Sequence, residues 1–238
     1  MKPVLTSKEA VKIITDGMSV MIGGFLNIGT PLTLVDALAE QGSKDLTLIS
    51  CTMAYPGQGV GKLQDRRQFS KLIASWIGGH PDTGKLMETG ELEVVLTPQG
   101  TLAEQIRAGG AGLGGFLTPT GVGTVVAKGK QEYTIHGKTY LLEYPLTADV
   151  ALVKAYKADT DGNLLYRLSA RNFNPLMAMA ATIVIAEVEE VVPVGTFDPD
   201  QVVTPGIFVD ILVKEGNEDD CRSSGANSAK GGKGAAGR

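Results

Sequence analysis

Apolar and polar positions recur at two different periods along this chain, and the changes of period divide it into elements. Thr6 and Glu9 form a Thr-x-x-Glu capping box ahead of "AVKII", which predicts a helix over residues 7–16 ended by Gly17. "SVMIG" (19–23) is short and continuously apolar, the signature of a strand buried on both faces, as in a parallel sheet. Thr30 is placed to cap a second helix and Pro31 suits its first turn, where the missing N–H would be unpaired anyway. In that helix Leu34 with Leu38, and Val35 with Ala39, share a face at helical spacing. "DLTLISC" (45–51), "KLIASWI" (71–77) and "ELEVVL" (91–96) read as further strands, separated by helical or Gly/Pro-rich connections. This alternation predicts an α/β fold with a mostly parallel sheet and flanking helices.

The middle of the chain changes character. Residues 123–146, "GTVVAKGKQEYTIHGKTYLLEYPL", alternate apolar and polar positions between Gly turns, which predicts antiparallel hairpins laid over the sheet. Residues 149–168 read as a long hairpin turning at Asp161-Gly162. "NPLMAMAA" supplies a helix, while "TIVIAEVEEVV" and "GIFVDILV" supply late strands. No composition shift divides residues 1–213, which are expected to form one domain. From Lys214 onward apolar residues vanish, and the Gly/Ser/Ala/Lys-rich stretch 214–238 is expected to be a disordered tail, because it cannot bury enough surface to offset its ordering entropy.

Composition narrows the function classes. Glycine supplies 31 of 238 residues, about twice the ~7% of average usage, so many backbone positions are bent or closely approached. A net charge of −4 argues against nucleic-acid binding, which needs a positive surface. Cys51 and Cys221 form no CxxC pair and lie far apart, so a disulfide is not expected and a reducing cytoplasm fits. His80 and His136 are the only histidines and no metal-ligand spacing is present, so no metal site is expected. The N-terminal "MKPVLTSKEA" lacks the apolar core of a secretory leader, and no apolar run approaches the ~18 residues of a membrane span.

Three stretches are able to carry chemistry. In "GGFLNIGTP" (23–31), glycines after a buried strand either serve only a tight turn or leave backbone N–H groups open to a phosphate or carboxylate at a helix N-terminus. The spacing is not the G-x-G-x-x-G dinucleotide fingerprint, and no acidic residue is placed to hold a ribose. In "LTPQGTLAEQIRAGGAGLGGFLTPTGVGT" (96–124), Gln99 lies where a strand gives way to a helix. It either satisfies a turn or donates an N–H to a carboxylate or developing oxyanion. The Gly-rich segment 109–124 is too long for one turn, and loops of this length are often functional. In "SARNFNPLMAMAA" (169–181), Asn172 or Asn174 is a candidate helix cap and Arg171 a candidate anion partner, while Met177 and Met179 read as core filler.

Taken in order, these stretches resemble a known family. Asp16-Gly17, the apolar triplet Val20-Met21-Ile22, then Gly23-Gly24-Phe25, Gly29 and Pro31 are similar to the N-terminal signature of the family I CoA-transferases. "PQGTLAEQIRAGGAGLGGFLTPTGVGT", "ADVALVKAYKADTDGN", "ARNFNP" and "TPGIFVD" continue the resemblance to about residue 213. Within the family, "GGFLNIGTP" and "GGFLTPTGVGT" are most similar to α subunits of the acetate/acetoacetate and butyrate–acetoacetate branch.

The resemblance implies an α/β sheet shared with ribose-5-phosphate isomerases. It also implies transfer of CoA between a short-chain acyl-CoA (acetyl, butyryl, acetoacetyl) and a free carboxylate. The family's glutamate nucleophile sits in a Ser-Glu-Asn-Gly stretch of a β subunit, and no glutamate here is followed by Asn-Gly. The resemblance therefore implies no nucleophile in this chain, a β-subunit partner, and an α2β2 or larger assembly. It carries a CoA-contacting role to Gly23, Gly24, Phe25, Leu26, Asn27, Ile28 and Gly29, where preorganised N–H donors would oppose charge on the thioester oxygen. Gln99 takes an acyl-positioning or oxyanion role. CoA and acyl-CoA are substrates, with no cofactor held permanently. A sugar-phosphate isomerase-like enzyme and a ligand-sensing module of the same fold stay open as alternatives.

Overall fold

The computed structural model describes residues 1–216. In chain order the strands and helices are β1 (Val4–Leu5), α1 (Ser7–Ala10), β2 (Ser19–Ile22), α2 (Leu32–Gln41), β3 (Leu46–Ser50), α3 (Gly61–Asp65), β4 (Phe69–Ala74), α4 (Pro81–Thr89) and β5 (Glu93–Leu96). They continue with α5 (Gln99–Gly110), β6 (Phe116–Thr118), β7 (Glu132–Ile135), β8 (Lys138–Glu143), β9 (Ala148–Asp159), β10 (Leu164–Leu165), α6 (Asn174–Met179), β11 (Ala181–Val192) and β12 (Ile211–Lys214). The main sheet has nine strands in the order β1-β12-β11-β9-β2-β3-β4-β5, with β10 antiparallel beside β9. Every other pairing in it is parallel.

Side-chain alternation along the strands builds two cores. On β9, Val150 and Leu152 join the core under α1 and α2, while Ala151 and Val153 join the one under α5 and α6. Successive side chains of a strand point to opposite faces, so a continuously apolar run is what a sheet covered on both sides requires. From β2 the chain advances through β3, β4 and β5 on one side, then returns to place β9 on β2's other side. The strand order therefore reverses at β2, and in open α/β sheets such a switch point is where ligands bind, outside the carboxyl ends of the strands. The hairpins expected over 123–146 form a separate antiparallel sheet, β6-β8-β7.

Several boundaries differ from the sequence reading. The capping box of Thr6 and Glu9 is present, but α1 is one turn long and passes into a 3-10 turn over Val11–Ile13. β-Branched Val11, Ile13 and Ile14 sustain an α-helix poorly. Thr30 does not cap α2: its hydroxyl donates to the Leu26 carbonyl at 2.8 Å. Instead the Leu34 N–H donates to Glu187 of β11 at 3.0 Å, so a carboxylate from the sheet serves the positive end of the helix. The long hairpin over 149–168 is one long strand, β9, with a two-residue partner, β10; β9's extended neighbour is the parallel β11. In "GIFVDILV", Gly206–Phe208 is a 3-10 turn and only Ile211–Lys214 is strand. The tail expected over 214–238 lies outside the described residues apart from its first three, of which Lys214 closes β12.

Candidate functional site

The loop leaving β2 turns on itself at once. Phe25 and Ile28 exchange two backbone hydrogen bonds at 3.0 Å across Leu26 and Asn27, and Leu26 takes a left-handed φ of 53°. The glycines around this turn are set by close packing. A Cβ on Gly23 would lie 1.8 Å from Asn174 Oδ1, and one on Gly29 would lie 2.5 Å from the Ala170 carbonyl oxygen. Asn174 is fully buried; its Oδ1 accepts from the Lys154 N–H at 2.9 Å and its Nδ2 donates to the carbonyls of Gly29 and Ala170 at 2.8 Å. Asn172 Oδ1 accepts from the Gly24 N–H at 3.2 Å, and Asn172 Nδ2 donates to the Ile28 carbonyl at 2.9 Å. The two asparagines, either of which is a candidate helix cap from sequence, are instead clamps that hold the glycine turn against residues 168–174.

This packing narrows the expectation of open amides. The N–H groups of Gly23, Gly24, Phe25, Leu26 and Ile28 all donate within the chain: to Leu152 O, Asn172 Oδ1, Ile28 O, Thr52 Oγ1 and Phe25 O. A donor already bonded inside the protein does not open to a ligand without losing that bond. What the turn presents outward is apolar: Phe25 is 42% exposed and Ile28 is 54% exposed.

Neighbouring strand ends continue the same edge. The Leu26 N–H donates to Thr52 Oγ1 at 2.8 Å, tying the turn to the end of β3. Thr52 in turn bridges Trp76, which follows β4. Gln99 opens α5 just after β5, exposed, and its Nε2 donates to Cys51 Sγ at 3.5 Å. The Ser75 hydroxyl donates to the Cys51 carbonyl at 2.6 Å. The turn at 23–29 and Gln99, far apart in sequence, thus lie along one carboxyl edge, linked through residues 51–52. Trp76 and Tyr55 add exposed aromatic surface to that edge. Sequence reading passed over Cys51, Ser75 and Trp76; their position after strands β3 and β4 was the available signal.

Titratable groups near this edge are committed elsewhere. Burial pushes the Cys51 thiol up, which keeps it protonated and weakly nucleophilic. Glu187 is fully buried against Lys154, whose Nζ lies 3.2 Å from Oε1, while its Oε2 serves Leu34. Burial pushes its carboxyl up, and the nearby Lys154 charge opposes that. Glu143 is buried and bonded to Lys130 at 2.6 Å and Gln105 at 3.0 Å. His80 Nε2 lies 2.9 Å from Asp65 and its Nδ1 accepts from the Asp82 N–H at 3.3 Å, so it caps α4 rather than serving as a base. Arg107 pairs with Glu104 on the surface of α5. Among the described residues no helix is long and apolar enough to cross a membrane.

Comparison with known proteins gives the family. The family model "Coenzyme A transferase" matches residues 4–215. The chain is 56% identical over 209 residues to "Acetate CoA-transferase subunit alpha" of Escherichia coli (strain K12), covering 88% of this chain and 95% of that one. It is 54% identical over 200 residues to "Acetoacetyl-CoA:acetate/butyrate CoA transferase alpha subunit" of Clostridium acetobutylicum, covering 84% and 92%. Among solved structures, an acyl-CoA transferase apoenzyme from Escherichia coli O157:H7 superposes with a TM-score of 0.81 at 25% identity; the match covers 90% of this chain and 47% of that one, so the present chain spans about half of it. A matching model over nearly the whole described chain and two relatives above half identity place this protein in the coenzyme A transferase family, as an α-type subunit.

Proposed function

We propose that the chain is the α half of a short-chain acyl-CoA:carboxylate CoA-transferase whose β partner completes the site. The observation that carries this reading is the joined carboxyl edge. The 23–29 turn and Gln99 line one open rim of mostly apolar and amide character, and the buried carboxylates nearest in the fold are already paired. Such a rim suits a short acyl chain and a polarised carbonyl, and it calls for an attacking group from another chain.

In this reading a β-subunit glutamate, in a Ser-Glu-Asn-Gly stretch, attacks the acyl-CoA thioester. CoA thiolate leaves and an acyl-glutamyl anhydride forms. The thiolate then attacks the glutamyl carbonyl and releases the first carboxylate, leaving a glutamyl-CoA thioester. The acceptor carboxylate reverses the two steps, so the thioester's free energy is kept from hydrolysis. Gln99 Nε2–H donates to the acyl oxygen as charge builds on it, an interaction of a kind worth about 2.7–4 kcal/mol in comparable sites. Gly23–Gly29 form the wall against CoA and the acyl chain, acting through shape and the Phe25 and Ile28 side chains, since most of the turn's amides are spent internally. CoA and acyl-CoA enter as substrates, and an α2β2 or larger assembly in the cytoplasm is part of the proposal; the unpaired, buried Cys51 is in keeping with a reducing compartment. An isomerase-like enzyme or a sensing module of this fold is not favoured by the family match.

The test is co-expression with the β chain. The purified α chain is expected to move no CoA from acetoacetyl-CoA to acetate until β is added. In the complex, Gln99→Ala is expected to lower kcat by roughly 10²-fold with assembly intact. Full transfer by the α chain alone would refute the reading.

A further inference from the structure

Cys51 follows the last residue of β3, is fully buried, and has no part in the transfer chemistry. Its contacts give it a different task. Gln99 is an exposed glutamine on the first turn of α5, and such a side chain ordinarily samples several rotamers. Here its Nε2 donates to Cys51 Sγ at 3.5 Å. Ser75 lies 3.7 Å from the same sulfur and gives its own hydroxyl proton to the Cys51 carbonyl at 2.6 Å. That leaves the Ser75 oxygen as acceptor for the thiol proton, and the sulfur lone pairs as acceptor for the glutamine. The donors run in one direction: Gln99 N–H to Cys51 S–H to Ser75 O–H to the Cys51 carbonyl. An amide held nitrogen-first against sulfur directs its second Nε2 hydrogen and its Oε1 away from the thiol.

We propose that Cys51 is a positioning residue: its sulfur anchors the Gln99 carboxamide so that the second Nε2 hydrogen faces the acyl oxygen. The inference rests on the reading of Gln99 given above and extends it to the residue that follows β3. A thiol is a weak acceptor, so the anchor orients the amide while leaving it able to strengthen its bond to the acyl oxygen.

A double-mutant cycle in the α–β complex tests this, reading kcat and KM for acetoacetyl-CoA and acetate together with the thermal midpoint. Cys51→Ala is expected to lower kcat about three- to tenfold, the worth of one hydrogen bond, with KM unchanged within about twofold. Cys51→Ser, which keeps an acceptor at the same place, is expected to recover most of the loss. In the Gln99→Ala background, Cys51→Ala is expected to have no further effect on kcat, although any effect on the thermal midpoint persists in both backgrounds. An unchanged kcat for Cys51→Ala overturns the inference, as does the same fold-loss with and without Gln99. If Cys51→Ala does not assemble with β, equal loss from Cys51→Ser in both backgrounds overturns it equally. A silent Gln99→Ala single variant is the separate signature that the reading of Gln99 itself fails.

Discussion

Glycines with the same name have opposite energetic roles in this chain, and space around them decides which. Gly23 has no room for a methyl group, because Asn174 Oδ1 occupies the place 1.8 Å from where a Cβ would sit. Asn174 cannot retreat without releasing the Lys154, Gly29 and Ala170 backbone groups it satisfies. Gly23→Ala is therefore expected to destabilise the fold by about 2–3 kcal/mol, through overpacking and buried polar groups left unpaired. Gly84, inside α4, has nothing within 4 Å of its would-be Cβ. Gly84→Ala is expected to stabilise by about 0.5–1 kcal/mol, mainly by restricting the unfolded chain. Urea midpoints of both variants check the pair, and equal effects of one sign would contradict the account. From sequence alone the cluster Gly23-Gly24…Gly29 was visible as a turn, but its meaning was not. The atoms that forbid a side chain at Gly23 belong to a residue about 150 positions later in the chain.

At the scale of elements, the strands that carry the site are clipped together by side chains that pattern analysis does not pair. Asp149, at the start of β9, accepts from both the N–H and the hydroxyl of Ser19, at the start of β2, at 2.8 and 2.7 Å. The Ser19 hydroxyl bond, followed by its backbone N–H bond, holds the Asp149 carboxyl below the ordinary aspartate range. A carboxyl lowered in the folded state stabilises fully above the unfolded value of about 3.9 and loses that contribution as pH falls through the lower folded value. Asp149→Asn is expected to weaken the fold at neutral pH by under about 1 kcal/mol, since the pair is largely solvent-screened, and to flatten the fall of stability below pH ~4. Urea midpoints measured from pH 7 to 3 show this as converging curves; parallel curves would count against the clip. The short α1 and the missing cap at Thr30 belong to the same scale. In both, the local signal was real and a tertiary partner or β-branched crowding altered the outcome.

For the molecule as a whole, the loops that follow β2, β3 and β4 carry the exposed apolar side chains Phe25, Ile28, Tyr55 and Trp76 on the carboxyl edge. Trp76 is the chain's single tryptophan and is 42% exposed. If the β subunit closes the site here, its emission is expected to shift to shorter wavelength and acrylamide quenching to fall on complex formation. Unchanged emission in an active complex would place the partner on another face. Sequence by itself determined the α/β class, the parallel sheet, the separate antiparallel hairpins and the family signature, because these rest on local periodicity and contiguous motifs. It also located the 23–29 turn and Gln99 at the ends of strands. Only the tertiary structure decided that the turn's amides are mostly occupied, that Asn172 and Asn174 are its clamps, and that a thiol on β3's end holds Gln99. The clamps reach the turn because strand order reverses at β2, and Gln99 reaches Cys51 because β3, β4 and β5 lie side by side; no spacing along the chain encodes a contact between residues separated by another strand.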